Sequence, residues 1–240
     1  MKRVFSKLVA TALVVGISAC CVSCEREVGN GKLVTSEKTV SIFEKINCED
    51  LGSATVRYYF SEEYRVFVTF DENLQEYTEV FITDNTLNIR LKAKGSYNYR
   101  KLSIEVYCPF LTGVTVSHSV NFEGMDKITA PTFDARVSDS GKLEGTIECE
   151  NFTSKISDAG RMTVVGTSTN ANIDISGSGN FNGKEFCLKN ADIRVRAAGD
   201  ANVWVTDHLK ATVSDSGKLN YWGEPTVDSN VSGAGKMKKM

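Results

Sequence analysis

A short glycine-centred motif recurs six times in the second half of this 240-residue chain. The copies read VSDSGKL, ISDAGRM, ISGSGNF, VRAAGDA, VSDSGKL and VSGAGKM. Their glycines are Gly141, Gly160, Gly179, Gly199, Gly217 and Gly235, spaced 18 to 20 residues apart. Self-similarity at a fixed period is the signature of an architecture in which each repeat stacks on the next. We therefore interpret one repeat as one turn of a solenoid.

The residues around each glycine obey one rule. Val or Ile stands four positions before the glycine, Ser or Ala directly before it, a polar residue directly after it and an apolar residue two positions after it. Between glycines, apolar residues alternate with a period of two, as in FDARV (133–137) and ADIRV (191–195), which is typical of strands. The pattern predicts an all-β, single-domain parallel β-helix of about 18–20 residues per turn.

The motif glycines mark the corners of the predicted coils. A corner must reverse the chain quickly while apolar side chains before and after it point inward, and glycine reaches positive φ at low cost. We therefore predict that the motif glycines have positive φ, and that Gly179→Val would destabilise the fold through backbone strain.

Residues 31–110 lack the motif but keep strand patterns such as ATVRYYF (54–60). VSHSVNF (116–122) resembles a degenerate seventh copy, with Val120 in the glycine position. Because an open solenoid end exposes unpaired backbone, we predict irregular coils and a cap over 31–110 and regular coils over 111–240. No Pro-, Gly- or Ser-rich linker separates the two parts, which indicates one domain over 31–240.

The first residues are typical of a secretory signal peptide. A basic start is followed by the apolar run LVATALVVGI and by small residues, and this run is too short to span a membrane as a helix. ISAC (17–20) matches a bacterial lipobox, so Cys20 is the first candidate for lipidation, and Cys24 in CVSC is the alternative. These features predict a signal peptide over 1–19, a tether over 20–30 and a lipid anchor in the outer membrane, facing the surface or the periplasm. The alternative is an ordinary secreted protein.

Four further cysteines, Cys48, Cys108, Cys149 and Cys187, would permit disulfides in an exported protein. Cys149 and Cys187 each stand eight residues after a motif glycine, so we expect them at equivalent positions as small buried hydrophobic residues. Residues 25–240 contain no CxxC pair, and we predict no metal site and no cofactor.

The charge pattern argues against one class of ligand and leaves another open. A formal net charge of −2 is too close to neutral to suggest nucleic acid. Asp139, Asp158 and Asp215 occupy the same motif slot, and the first two fall on adjacent coils, where they could hold a cation such as calcium. The favoured interpretation is that they are ordinary turn formers, because Gly177 and Ala197 interrupt the series.

The residues suited to catalysis are few. His118 and His208 lie several coils apart, and neither has Ser or Cys at a motif spacing, so a nucleophile with its base is not predicted. Arg194 and Arg196 beside Asp192 could mimic a polysaccharide lyase cluster, but a solvated charged strand is favoured. Three tyrosines that could stack on sugar rings, or simply be strand residues near the cap, are Tyr97, Tyr99 and Tyr107.

Several segments together carry a family resemblance. They are the lipobox, GNGKLVTSEKTVSIFEKI (29–46), YRVFVTFDENLQEYTEVFITDNTLNI (64–89) and the serial VSxSG copies. In these the chain resembles the "putative auto-transporter adhesin, head GIN domain" family of Bacteroidetes lipoproteins over nearly all of its length after the signal. The resemblance implies a right-handed β-helix in an exported protein, and it supplies no catalytic residues. Val120 and the copy VRAAGDA depart from the pattern.

We expect a non-catalytic, membrane-tethered adhesin that presents an extended β-helical surface to a glycan or protein. The expected partners are the membrane, through the lipid anchor, and that ligand, with no nucleic acid; the sequence does not determine the oligomeric state. Two alternatives remain open. One is a polysaccharide-active enzyme on the same scaffold, and the other is an envelope scaffold that self-associates end to end.

Overall fold

The computed structural model describes residues 26–93 and 96–240, which form a β-solenoid of about seven stacked parallel coils with almost no helix. The prediction of an all-β parallel solenoid is therefore confirmed. Each coil places one row of apolar side chains inside, and successive coils hydrogen-bond to each other along their strands.

The N-terminal strands mix parallel and antiparallel pairing. Their bounds are β1 (Arg26–Val28), β2 (Leu33–Lys38), β3 (Lys45–Cys48), β4 (Thr55–Phe60), β5 (Arg65–Asp71), a 3-10 helix (Glu72–Tyr77), β6 (Thr78–Thr83), β7 (Thr86–Leu91), β8 (Ser96–Asn98) and β9 (Ser103–Cys108). Strands β2 and β5 and strands β6 and β7 pair antiparallel. The β6–β7 turn holds Asp84 and Asn85 at φ of 49° and 57°, the two-residue hairpin conformation that Asp and Asn favour.

The remaining strands build the regular coils. Their bounds are β10 (Gly113–Val116), β11 (Asn121–Gly124), β12 (Ile128–Val137), β13 (Lys142–Ile156), β14 (Arg161–Ile175), β15 (Asn180–Val195), β16 (Asp200–Val213), β17 (Lys218–Trp222), β18 (Thr226–Val231) and β19 (Lys236–Lys239). Strands β10 and β11 also pair parallel with β3 and β4, so the regular coils continue directly onto the N-terminal part. One hydrophobic cluster runs through both parts.

The core consists of registered columns of apolar side chains. The β-branched residues before the corners stack from coil to coil, and all but the last are almost fully buried; they are Val116, Val137, Ile156, Ile175, Val195, Val213 and Val231. Phe133 and Phe152 stack with parallel rings at 6.5 Å between centroids. Burying a side chain of this size stabilises the fold by about 1.5–3 kcal/mol. Val231 lies on the final coil and remains 44% exposed.

The predicted positive φ at the motif glycines is wrong. Positive φ occurs instead two positions earlier in every corner, at Asp139 (55°), Asp158 (55°), Gly177 (69°), Ala197 (57°), Asp215 (57°) and Gly233 (66°). His118, at φ 58°, shows that VSHSVNF forms the same corner. Because Asp tolerates the left-handed region better than most residues, the conformation explains why Asp recurs in this slot.

The motif glycines are required by close packing between coils. A Cβ at Gly179 would lie 2.7 Å from Ile156 Cγ2, and one at Gly160 would lie 2.9 Å from the carbonyl oxygen of Val137. The corner backbone continues the ladder between coils, as in the 2.9 Å hydrogen bond from Asn180 N to Gly160 O, which holds the corners this close. Glycine and the β-branched residue of the preceding coil are therefore one packing unit.

Val120 can stand in the glycine position because the neighbouring corner, between β3 and β4, is longer. The chain between Cys48 and Thr55 has two more residues than the chain between their partners Val116 and Asn121. Val120 is fully buried at this place, so the longer corner accommodates its side chain.

The expected equivalence of Cys149 and Cys187 is also wrong. Cys149 aligns with Ser168, whereas Cys187 aligns with Thr167 in the neighbouring column, because the register shifts opposite Thr163–Val165. Both cysteines are half-buried, whereas Cys48 and Cys108 are buried. All four thiols are free.

A ladder of asparagine side chains lines the second corner of three coils. Asn170 donates from Nδ2 to Asn151 Oδ1 at 3.0 Å, and Asn190 donates from Nδ2 to Asn170 Oδ1 at 3.1 Å. Identical side chains at stacked positions can thus satisfy each other, which ties the coils together outside the apolar core.

Candidate functional site

The solenoid interior is filled by side chains, so candidate binding residues lie on its outer surface. Cys20 and Cys24 fall outside the described residues. In the part of the chain that the structure describes, no helix is long and apolar enough to cross a membrane.

The stacked aspartates serve the corners. Asp139 Oδ2 accepts the backbone N–H of His118 at 3.2 Å, and Asp215 Oδ2 accepts that of Ala197 at 3.2 Å. Neighbouring serine hydroxyls add hydrogen bonds to Asp139, Asp158 and Asp215. Within residues 26–93 and 96–240, no group of three or more His, Cys, Asp or Glu is arranged to hold a metal ion. Corner geometry thus accounts for the recurrence of Asp at this position.

Arg194, Arg196 and Asp192 form ion pairs with their neighbours. Arg194 Nη2 lies 3.1 Å from Asp192 Oδ2, and Lys210 Nζ reaches the same carboxylate at 3.3 Å. Arg196 Nη2 lies 2.6 Å from Asp174 Oδ1 on the preceding coil. The arrangement is a partly exposed charge ladder along the strands of the second half of each coil, as the favoured interpretation predicted.

Sequence reasoning missed one cluster, because its members lie on two coils. His118 Nδ1 is 3.1 Å from Ser117 Oγ, and His118 Nε2 is 3.2 Å from Asp50 Oδ1. The His118 and Asp50 side chains are 54% and 62% exposed, and Ser117 Oγ also donates to the carbonyl of Cys48 at 3.5 Å. The Ser117 hydroxyl bonds to a backbone carbonyl, and the His118 ring is open to solvent. The cluster therefore lies on an exposed surface and not in an enclosed pocket of the kind that activates a nucleophile.

Two of the three predicted tyrosines are tied to the cap. Tyr97 Oη donates to the carbonyl of Lys92 at 2.6 Å, and Tyr99 Oη donates to that of Leu51 at 2.5 Å. Burial raises the pKa of both phenols, and for Tyr97 the nearby carboxylates reinforce the effect. Their hydroxyls hold the cap together, which matches the interpretation as strand residues near the cap.

Tyr107 belongs to an aromatic group on the outside of the N-terminal strands. Its ring stacks on Tyr59 at 5.0 Å between centroids and meets the edge of Phe67 at 5.7 Å. The Arg65 guanidinium lies 4.6 Å from the Phe67 ring and pairs with Glu37, whose pKa it lowers through that hydrogen bond. The rings and charged groups of these side chains therefore mostly contact one another, through ring stacking, a cation–π contact and an ion pair.

A second outer surface runs along the first strand of each regular coil, just after the corner glycine. Registered pairing aligns two outward columns from coil to coil. The first column is Lys142, Arg161, Asn180, Asp200, Lys218 and Lys236, and the second is Glu144, Thr163, Asn182, Asn202, Asn220 and Lys238. Asn220 Nδ2 donates to Asn202 Oδ1 at 3.1 Å, so the second column carries an amide ladder.

A groove of about 340 Å³ opens between these columns, and we name it the amide groove. Its lining residues are Lys142, Leu143, Glu144, Arg161, Thr163, Asn180, Asn182, Lys184 and Asn202. Two tryptophans on the last coils, Trp204 and Trp222, lie beside it in register, and Lys184 Nζ stands 5.3 Å from the Trp222 ring. Trp204 is 45% exposed. Polar, basic and aromatic side chains thus share one surface.

Comparisons with known proteins agree with this architecture. A putative adhesin from Bacteroides fragilis NCTC 9343 superposes with a TM-score of 0.82 at 21% identity, covering 89% of this chain and 99% of that one. A putative lipid binding protein from Parabacteroides distasonis ATCC 8503 gives 0.73 at 23% identity, covering 90% and 100%. A putative adhesin from Parabacteroides merdae ATCC 43184 gives 0.63 at 23%, covering 90% and 99%.

No curated protein matches the chain. The model of one protein family matches residues 42–225, which includes most of the N-terminal part and most of the regular coils. The chain therefore belongs to the family described as "putative auto-transporter adhesin, head GIN domain".

Proposed function

We propose that this protein is an exported, lipid-anchored adhesin that binds a glycan or protein through the outer surface of its solenoid, without catalysing a reaction. The family and the similar structures named as adhesins support the general role. The lipid anchor is inferred from the lipobox at Cys20 or Cys24.

The observation that carries the proposal is the register of the outer side chains. Equivalent polar residues recur on successive coils, as in the column Asn182, Asn202 and Asn220, at a spacing set by the strand separation of about 4.8 Å. The filled core makes this array rigid. A rigid periodic surface suits an extended, repetitive ligand, because little ordering entropy is lost on binding.

The enzyme alternative has less support from the geometry. The arginines that would act in a lyase-like cluster are paired with Asp192 and Asp174. A catalytic acid or base would instead need an unpaired partner within reach of a bound substrate. These ion pairs favour a structural role for that cluster.

End-to-end self-association also has less support. Continued winding would need two open ends, but antiparallel β2 and β6 lie at the edges of the N-terminal strands. At the other end, Lys236, Lys238 and Lys239 place like charges on the last strand, which opposes edge-to-edge pairing.

The test is adhesion by intact cells that display the full-length chain. We expect these cells to adhere to some members of a panel of immobilised glycans and host proteins, whereas cells carrying the empty vector do not. Proteinase K treatment of intact cells should remove both the protein and the adhesion. Absence of adhesion across the panel, with the protein shown to be surface-exposed, would contradict the proposed function.

The lipid anchor is tested by metabolic labelling with an alkyne fatty acid. Cys20→Ala should abolish labelling and release the chain from the membrane fraction, while Cys24→Ala should leave labelling unchanged. The reverse result would assign the anchor to Cys24, and labelling in neither wild type nor variants would contradict the anchor.

A further inference from the structure

The basic side chains around the amide groove have no acidic partners. Lys142, Arg161 and Lys184 line the groove, and Lys218 and Lys236 continue the first column beyond it. Across residues 26–93 and 96–240, none of these five forms an ion pair within 4.0 Å. The acidic residues nearby are Glu144, which lines the groove, and Asp200, which stands in the first column between Asn180 and Lys218.

The second strand of each coil shows the opposite arrangement. Arg136, Arg194, Arg196 and Lys210 all pair with aspartates at 2.6 to 3.3 Å. Four cations on this face are thus neutralised by aspartates and Lys155 is not, whereas all five basic residues in and beyond the amide groove are unpaired within the described part of the chain. Unpaired cations in adjacent coils repel each other, so a surface that keeps them together is suited to an anionic ligand.

We propose that the amide groove binds an anionic glycan, a sugar chain that carries carboxylate or sulfate groups. Lys142 and Arg161 would bind the anionic groups, since charge-assisted hydrogen bonds are the stronger ones. Asn180 would bind sugar hydroxyls through the donor and acceptor of its side-chain amide. This proposal rests on the proposed adhesin function and assigns it a site and a ligand class.

Two details favour a sugar over other polyanions. Asn180 lines the groove and is partly exposed, so its side-chain amide offers a donor and an acceptor that ligand hydroxyls can use. Trp204 is exposed beside the groove and offers an aromatic face of the kind that sugar rings stack on. Amide and indole groups together bind hydroxyls and ring faces, whereas an acidic peptide such as polyglutamate would use the charges alone.

Binding to unpaired surface cations must depend on salt. Raising the ionic strength from about 0.1 M to about 1 M shortens the screening length from about 10 Å to about 3 Å. We therefore expect affinity for an anionic glycan to fall steeply with salt, and adhesion to a neutral ligand to change little.

The experiment measures binding of the full-length chain, in detergent micelles, to immobilised polygalacturonate, chondroitin sulfate and neutral dextran. Arg161→Glu should weaken binding to the anionic glycans by about tenfold or more, the loss of one charge-assisted contact. Lys155→Glu is the matched control, because Lys155 is an exposed, unpaired cation on the opposite face, and its substitution should change affinity by less than about twofold. Trp204→Ala should weaken glycan binding but leave binding to polyglutamate, an anionic polymer without rings, unchanged. Thermal unfolding of each variant verifies that it is folded.

The outcomes separate this proposal from the adhesin function. Binding to dextran or a host protein that is unaffected by Arg161→Glu would overturn the site while leaving the adhesin intact. Equal binding to polyglutamate and to the anionic glycans would overturn the sugar assignment. No binding to any glycan or protein would overturn the adhesin function itself.

Discussion

The packing unit formed by a corner glycine and a β-branched side chain yields a quantitative prediction at Gly179. In Gly179→Ala the new Cβ would stand 2.7 Å from Ile156 Cγ2, 3.2 Å from Ile175 Cγ2 and 3.3 Å from Ser176 O. Real Cβ atoms do not approach carbon to 2.7 Å, so either the corner or Ile156 must move. Ile156 is fully buried in the column of β-branched residues and has little room to do so.

The expected cost follows from two opposing terms. Overpacking a close-packed interior costs about 1–3 kcal/mol. Because Gly179 does not have positive φ, alanine can adopt the same backbone conformation without strain. It should also stabilise the protein by about 0.4–1 kcal/mol, because alanine lowers the conformational entropy of the unfolded chain. The net loss of about 1–2 kcal/mol corresponds to a fall of about 2–8 °C in melting temperature for a chain of this size. Thermal unfolding followed by circular dichroism measures it.

A matched substitution and a double-mutant cycle test the cause. Gly145→Ala is the control, since its nearest contact would be Gly124 Cα at 3.7 Å and the melting temperature should be unchanged or slightly higher. Ile156→Leu removes the branched methyl that meets the new Cβ at nearly constant volume, at a cost of less than about 1.5 kcal/mol. Gly179→Ala should therefore cost less in the Ile156→Leu background than in the wild type.

Two results would refute this reasoning. Gly179→Ala could prove as stable as Gly145→Ala, which would show that the corner has room for a side chain. Alternatively, the two substitutions could be strictly additive, which would show that Ile156 Cγ2 is not the obstacle.

Three further predictions concern corners, ladders and thiols. Asp215→Val should lower stability by about 1–2 kcal/mol because a β-branched residue is strained at φ 57°, whereas Asp215→Asn should be tolerated; denaturant unfolding compares them. Asn170→Ala should cost about 1–2 kcal/mol and more than Asn151→Ala, because Asn170 bonds on both sides, and equal losses in thermal unfolding would contradict the ladder. Burial raises the pKa of Cys108 to about 12 and that of Cys48 further, so both thiols stay protonated at pH 8. A thiol-reactive reagent added to the folded protein at pH 8 should therefore leave both cysteines unmodified. Their reaction at the rate of the unfolded chain would contradict their burial.

Much of the fold could be predicted from the sequence because the repeat is local and periodic. The alternation in FDARV and the recurring VSxSG copies predict strands and corners wherever a coil occurs, and the likeness of VSHSVNF to the motif predicts a further corner around Val120. The groove residues were not predicted. Lys142, Arg161 and Lys184 occupy ordinary polar strand positions in the sequence, and their shared property, the absence of acidic partners, depends on which coil lies beside which.

The sequence by itself determined that this chain winds into a solenoid with one coil for each copy of the glycine motif. Period and alternation decide which side chains face inward, and burying them dominates the energy. Only the tertiary structure decided why the glycines are needed, since the obstacle to a Cβ at Gly179 is a methyl group on the preceding coil. It also decided the true column of Cys187 and the grouping of the unpaired cations. Both depend on the register between coils. One extra residue in a strand, as in β15 opposite β14, changes which side chains of neighbouring coils align, although the sequence around each residue still reads as a strand.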